Sequence, residues 1–212
     1  MKTFQQIPLQ FPPQDSWTKE DFLVAPCNKD AFDMITQEPL GPQTALWLIG
    51  EKGSGKTHLA HLFSDILIPC SCLTQEEIPA LAGKKVVIED LTCHQTDEVA
   101  LFHLYNLLKE TAGELLLTAK EKISFRLPDL DSRLKTAPVV QIGLPDDVLI
   151  ASLFIKMFYD RHIAVSGEAV NYLVTHTERS FDAIRRMVAQ LDDLSLSAKQ
   201  KITIPLIKKL YE

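Results

Sequence analysis

The sequence predicts an α/β fold, in which a parallel sheet flanked by helices is followed by a small all-helical region. Up to about residue 143, short apolar runs alternate with amphipathic stretches, which is typical of strand–helix–strand units with parallel strands. After Gly143 the strand signals almost stop, and only helical periods follow. A chain of 212 residues that is 46% hydrophobic is long and apolar enough to bury such a core.

Three regions are expected along the chain: a tail over residues 1–20, an α/β domain over 21–143 and a helical lid domain over 144–212. The tail is rich in Gln and Pro and has neither the helical nor the strand period, so it is expected to be extended. In the α/β domain we expect strands at 44–49, 85–88, 114–118 and 138–142, and helices at 56–65 and 97–109. In the lid domain we expect helices at 146–159, 168–175, 181–194 and from about 205 onwards.

The composition excludes some classes of partner. The net charge is −6 with a pI near 5.5, so no strong basic field favours direct DNA binding. The longest apolar runs are far shorter than the roughly 18 residues of a membrane helix, and the N-terminus lacks the apolar stretch of a signal peptide. Four irregularly spaced cysteines are interpreted as reduced thiols, so we expect a cytoplasmic protein without a membrane partner.

A phosphate-binding loop is predicted where an apolar run meets a helical one. The spacing GxxxxGK[ST] is matched by Gly50, Glu51, Lys52, Gly53, Ser54, Gly55, Lys56 and Thr57. Glycines let the loop curl so that backbone N–H groups face phosphate oxygens, while the following helix N-terminus favours negative charge. Lys56 is expected to neutralise the β and γ phosphates, and the Thr57 hydroxyl to ligate Mg²⁺. The alternative is a glycine-rich turn that binds nothing.

Two acidic residues follow the next predicted strand. Glu89 is a candidate Mg²⁺ ligand, and Asp90 a candidate general base that polarises an attacking water. By themselves they also fit a solvated strand end. Because they accompany a predicted phosphate-binding loop, we favour the metal role for these acidic residues.

The order of these elements resembles the AAA+ class, and within it the ATPase module of the bacterial replication initiator DnaA. The resemblance is carried by residues 22–28, by 115–118 as the sensor 1 strand, by 127–134 as the arginine-finger segment and by 184–187 at the place of sensor 2. The initiator continues into a helix-turn-helix domain, whereas this sequence ends at residue 212. In that respect it is similar to the Hda family, DnaA homologues that switch the initiator off.

A short peptide in the tail fits the same family. The pattern Q-x-x-L-x-[LF], which docks on the DNA polymerase sliding clamp, is matched by a segment with the candidate contacts Gln6, Ile7, Leu9 and Phe11. The Gln side chain can hydrogen-bond at a pocket rim while Leu9 and Phe11 enter an apolar pocket. The alternative is that Leu9 and Phe11 pack on the body of this protein.

The Hda resemblance implies an adaptor that negatively regulates the initiation of DNA replication. Such a protein rides on the clamp in its nucleotide-bound form and presents an arginine to ATP held by DnaA. Arg133 matches that arginine, although its position also fits a surface residue at a helix end. Arg185 is expected at the β phosphate, with Arg186 about 100° away on the same helix.

One departure from the family pattern concerns hydrolysis. The sensor 1 strand of the family ends in Thr-x-Asp, whereas this chain has Lys120 at the acidic position. We therefore expect slow or absent intrinsic hydrolysis, with bound ADP or ATP, ADP being favoured, as a structural ligand together with Mg²⁺. The rival hypothesis is a self-contained AAA+ ATPase or helicase loader acting in a homo-oligomer. The sequence leaves open whether the chain is a monomer or a homodimer.

Overall fold

The structure is a computed structural model that describes residues 17–37, 44–92, 94–198 and 200–210. The candidate clamp contacts Gln6, Ile7, Leu9 and Phe11 lie outside the described residues. The first part of the chain forms α1 (Lys29–Thr36), β1 (Ala45–Gly50), α2 (Lys56–Phe63), β2 (Leu67–Pro69), β3 (Lys85–Glu89), α3 (Glu98–Glu110), β4 (Glu114–Ala119), α4 (Pro128–Thr136) and β5 (Val139–Ile142). The second part forms α5 (Asp147–Tyr159), α6 (Gly167–His176), α7 (Phe181–Ala198) and α8 (Ile204–Lys208).

The five strands form one parallel sheet in the order β2-β3-β4-β1-β5. Strand β1 lies between β4 and β5, with Ile49 opposite Ala119 and Gly50 opposite Ile142. Because the strands are parallel, the loops after β1, β3 and β4 leave from the same edge of the sheet. That edge therefore brings together the phosphate-binding loop, Asp90 and Lys120, which follow these strands.

Alternating side chains of the central strands fill both faces of the sheet. Trp47 is fully buried on the face covered by α3 and α4, whereas Leu46 and Leu48 are buried on the face covered by α1 and α2. The strands are apolar on both faces, which is the pattern of a parallel sheet with two helical layers. A third buried cluster, centred on Phe154 and Phe158, lies within the helical part.

Three elements were not expected from the sequence. Helix α1 has eight residues and strand β2 only three, so neither gives a clear period. Helix α4 falls in residues 127–134, for which the sequence predicts an arginine-finger segment but no helix. It starts at Pro128, whose fixed φ suits a first helical turn. The other boundaries differ from the expected ones by a few residues, because local propensity does not fix helix ends.

Residues 17–20 also differ from the expected extended tail. The Trp17 ring stacks on the His61 ring with centroids 4.6 Å apart, and His58 Nε2 donates to the Thr18 carbonyl at 2.8 Å. These residues therefore pack on α2. Within the described ranges, no helix combines the length and apolar character needed to cross a membrane.

Candidate functional site

The loop between β1 and α2 has the shape of an anion cradle. Gly53 and Gly55 adopt φ angles of 80° and 99°, in the left-handed region that other residues rarely enter. Close packing adds a second requirement, because a Cβ on Gly55 would lie 3.0 Å from the Phe22 ring. The backbone conformation at Gly53 and Gly55 thus favours glycine at these two positions of the motif.

Two polar groups of this loop fit a phosphate ligand. Ser54 Oγ is buried and has no hydrogen-bond partner among the described residues, which is costly unless a ligand supplies one. Lys56 is buried as well, and its ammonium donates to the carbonyls of Gly50 at 2.8 Å and Glu51 at 3.0 Å. Burial lowers the pKa of Lys56, while the negative charges of Asp90 and Glu51 oppose that shift. A nearby phosphate would stabilise the charged form further.

The loop opens into a cavity of about 990 Å³. Its walls come from the loop, the segment from Trp17 to Leu23, and the helices α5 and α7. Three aspartates line it, namely Asp21, Asp90 and Asp160. Among the described residues, six cationic side chains line it: Lys52, Lys56, Lys120, Lys156, Arg161 and Arg185. Six cations against three carboxylates give the cavity a positive formal charge in a protein of net charge −6, so it fits a polyanionic ligand.

The two neighbouring arginines of α7 lie in different surroundings. Arg185 lines the cavity and approaches the loop, since a Cβ on Gly53 would be 3.5 Å from its Cδ and Nε atoms. Arg186 lies outside the lining of this cavity and pairs with Asp182 at 3.2 Å. The structure therefore brings Arg185, and not Arg186, to the loop.

The two acidic residues after β3 are also separated. Asp90 lines the cavity in a left-handed conformation, with φ at 51°, and its N–H donates to Thr118 Oγ1 at 3.0 Å. Glu89 is half-buried and does not line the cavity. Thr57 and Asp90 are cavity-lining oxygen donors of the kind that Mg²⁺ prefers. The metal role of Glu89 stays a prediction.

Lys120 reaches the start of the loop from the neighbouring strand. Its ammonium lies 3.2 Å from Glu51 Oε2, and the side chain lines the cavity. Glu51 itself does not line the cavity, nor does Gly50. Lys120 thus adds a further lysine charge beside the loop, which already carries Lys52 and Lys56.

Arg133 does not line this cavity and is half-buried on the side of α4 that faces α3. Its Nη1 donates to Asn106 Oδ1 at 3.0 Å, and its guanidinium lies 5.4 Å from the Phe102 ring centre and 5.7 Å from that of Tyr105. Leu108 of the same helix is fully buried, whereas Phe102 and Tyr105 are only partly buried. The guanidinium of Arg133 is therefore packed against the rings of Phe102 and Tyr105.

Sequence patterns missed several cavity residues. Trp17 and Asp21 belong to the segment before α1, and Lys156 and Arg161 lie in or just after α5. Lys156 Nζ lies 3.4 Å from Asp21 Oδ1, which joins these two distant segments. No motif spacing marks such residues, because the fold alone brings them together.

Comparisons with known proteins agree with this architecture. Domain III of the Thermotoga maritima replication initiation protein DnaA superposes with a TM-score of 0.78 at 18% identity, covering 93% of this chain and 96% of that one. AMPPCP-bound DnaA from Aquifex aeolicus superposes with a TM-score of 0.63 at 16% identity, covering 83% of this chain and 64% of that one. At these identities the likeness shows the fold.

Two sequence comparisons give more specific similarities than the fold does. A family model described as "Hda, lid domain" matches residues 152–211. An uncharacterised protein of Haemophilus influenzae is 30% identical over 238 aligned positions, which cover 97% of this chain and 98% of that protein.

The parallel sheet with its phosphate-binding loop and C-terminal helical lid defines an AAA+ protein related to DnaA. The chain is an Hda-like protein: its residues 152–211 match the Hda lid domain, and its fold is that of DnaA domain III.

Proposed function

We propose that this chain is a nucleotide-bound AAA+ adaptor that docks on the DNA polymerase sliding clamp and stimulates ATP hydrolysis by the initiator DnaA. It thereby lowers the frequency of replication initiation. The observation that carries the proposal is the position of Arg133 in α4, where its side chain is hydrogen-bonded to Asn106 of α3 and lies outside the lining of the protein's own cavity.

The positive cavity supports nucleotide binding. Ser54 Oγ lacks a partner among the described residues, and Arg185 approaches the same loop from the lid. A nucleotide held there would join the α/β part to the helical part, because its phosphates would contact both. Bound Mg²⁺ would neutralise phosphate charge, and Thr57 and Asp90 are the cavity residues that would hold it.

The location of Arg133 supports action on a partner's nucleotide. An arginine supplied in trans stabilises the charge on a transferring phosphoryl group and contributes about 10³-fold or more to the rate. Asn106 and the rings of Phe102 and Tyr105 restrict the motion of the side chain. Such pre-organisation reduces the entropy lost when the finger engages its target.

The clamp contact is assigned to the peptide that contains Gln6, Ile7, Leu9 and Phe11. Its described continuation, starting at Trp17, packs on α2 beside the cavity. The peptide is therefore joined to the body next to the nucleotide site.

The proposal is tested in two stages. Binding to the organism's own sliding clamp is measured with ADP present, for wild type and for a variant with Gln6→Ala, Leu9→Ala and Phe11→Ala. We expect binding in the micromolar range or tighter for wild type, and loss in the variant. Absence of wild-type binding would contradict the adaptor and favour the self-contained ATPase or loader.

The second stage measures hydrolysis of ATP held by purified DnaA when clamp and adaptor are added. Arg133→Ala should reduce the stimulation about a thousandfold. Arg179→Ala is the matched control, because this arginine is exposed and pairs with Asp147 at the start of α5 rather than with α3 or α4. The adaptor alone should turn over slowly, since Lys120 occupies the position of the acid in the family pattern. Brisk turnover by the adaptor alone, reduced by Arg133→Ala, would instead support the homo-oligomeric ATPase.

A further inference from the structure

We propose that Cys70, which follows the edge strand β2, is a positioning residue for Asp90. Its thiol holds the backbone bend that directs the Asp90 carboxylate to the Mg²⁺ accompanying a bound nucleotide. The inference rests on the nucleotide site proposed above. It gives β2, a strand that no sequence pattern indicated, a role in that site.

Asp90 has a backbone conformation that needs support from its surroundings. Its φ of 51° lies in the left-handed region, where a residue with a side chain is strained. Asp90 also lines the cavity, together with Thr57. A strained residue persists only where neighbouring groups hold it. The contacts of the Asp90 backbone therefore determine where its carboxylate can lie.

The backbone of Asp90 is held from the strands on both sides of β3. On the β4 side, its N–H donates to Thr118 Oγ1 at 3.0 Å, and the next N–H, that of Leu91, donates to the Thr118 carbonyl at 2.9 Å. On the β2 side, the Cys70 thiol donates to the Asp90 carbonyl, with 3.2 Å between sulfur and oxygen. Cys70 thus contacts the peptide group on the C-terminal side of the strained residue.

The location of Cys70 follows from the register of β2. Pro69 lies opposite Glu89 in the parallel pairing with β3, so Cys70 follows β2 at the level where Asp90 follows β3. Cys70 is only 4% exposed, and a hydrogen bond that is shielded from water is stronger than an exposed one. The thiol is a weak donor, so its loss should change the orientation of Asp90 without unfolding the site.

The test separates the metal from the phosphate contacts. Isothermal titration calorimetry measures the affinity for ADP with Mg²⁺ and with EDTA, and the ratio of the two affinities reports how well the metal is held. We expect Mg²⁺ to tighten ADP binding to wild type about tenfold. Cys70→Ala should reduce this ratio about threefold, because Asp90 loses one contact that orients it. The affinity in EDTA should change by less than about twofold.

Two further variants calibrate the result. Cys70→Ser keeps a hydrogen-bond donor at this place and should retain most of the Mg²⁺ dependence. Asp90→Asn should lose more of the dependence than Cys70→Ala does, because it removes the charge of the carboxylate itself. Cys72→Ala is the matched control, since Cys72 is exposed, belongs to the same short 3₁₀ helix (Cys70–Cys72) and does not line the cavity. It should behave as wild type.

Circular dichroism should show that all variants are folded. If wild type does not bind ADP, the proposed nucleotide site itself fails. If wild type binds ADP equally with and without Mg²⁺, the nucleotide site stands and the role of Cys70 is wrong. The role is also wrong if Cys70→Ala weakens both affinities equally, or if Cys70→Ser loses as much Mg²⁺ dependence as Cys70→Ala.

Discussion

At the residue scale, Arg133 is the side chain whose surroundings say most about its use. A single surface arginine is free to sample many rotamers, and ordering it costs conformational entropy. Here a hydrogen bond to Asn106 and two aromatic faces already select one arrangement. Asn106 therefore acts as a positioning residue for the proposed arginine finger.

This assignment gives a prediction for Asn106→Ala. The variant should reduce stimulation of DnaA-bound ATP hydrolysis about tenfold, because Arg133 loses its hydrogen-bond acceptor and part of its pre-organisation. Binding to the clamp should be unchanged. Asn106→Asp keeps an acceptor oxygen and should retain most of the stimulation. Equal loss in both variants would contradict the positioning role.

At the element scale, α4 is fixed by contacts at both ends. Leu127 N–H donates to Glu98 Oε2 at 2.7 Å, at the start of the helix. Trp47 Nε1–H donates to the Leu134 carbonyl at 3.0 Å, near its end. Helix α4 is thereby held against both α3 and strand β1, so Arg133 is carried by a firmly anchored helix.

A pH-dependent contribution to stability is predicted for the first turn of α4. Asp131 accepts a hydrogen bond from the Phe125 N–H at 3.0 Å and pairs with Lys135. The Lys135 hydrogen bond, followed by that from Phe125, lowers the pKa of Asp131 from its ordinary value of 3.8. The ionised carboxylate is thus favoured in the folded state. Its stabilising effect is complete above the unfolded-state pKa and is lost as the pH falls through the folded-state pKa.

Asp131→Asn should therefore lower the urea midpoint at pH 7, and the difference from wild type should persist down to about pH 4. Below that pH the two midpoints should converge. Convergence already at pH 6 would show that the charge of Asp131 does not stabilise the folded state.

At the scale of the whole molecule, the cavity joins regions that are distant in sequence. The segment from Trp17 to Leu23, the loop after β1, and helices α5 and α7 all contribute to its walls. We propose that the change from α/β domain to lid domain lies near residue 143, as the sequence indicates. A ligand in the cavity should then stabilise the two domains together.

The adjacent arginines of α7 allow a matched test of that coupling. Nucleotide should raise the melting temperature of wild type, because a ligand that binds only the folded state stabilises it. Arg185→Ala should abolish most of this increase, since Arg185 links the lid to the loop at Gly53. Arg186→Ala, which removes the exposed pair with Asp182, should retain the increase. Equal shifts in both variants would contradict the linking role of Arg185.

The sequence by itself determined the fold class and the phosphate-binding loop. Strand and helix periods depend on residues close in sequence, so they can be read without the tertiary structure. The left-handed φ angles of the loop favour glycine, which is the residue found at Gly53 and Gly55. The helical lid was indicated by the helical periods after Gly143, and residues 152–211 match a family model of the Hda lid domain. The order of the strands in the sheet came only from the tertiary structure.

Only the tertiary structure decided which side chains surround the cavity and which hold Arg133. Lys156 and Asp21 are in contact although they are 135 residues apart in sequence, and Arg133 and Asn106 although they are 27 residues apart. Neither contact has a periodic or motif signature, because each arises when separately formed elements pack together. For the same reason, the sequence marked Lys120 only as a departure from the Thr-x-Asp pattern of the family and did not indicate its contacts. Its pairing with Glu51 became visible when β1 and β4 were placed side by side.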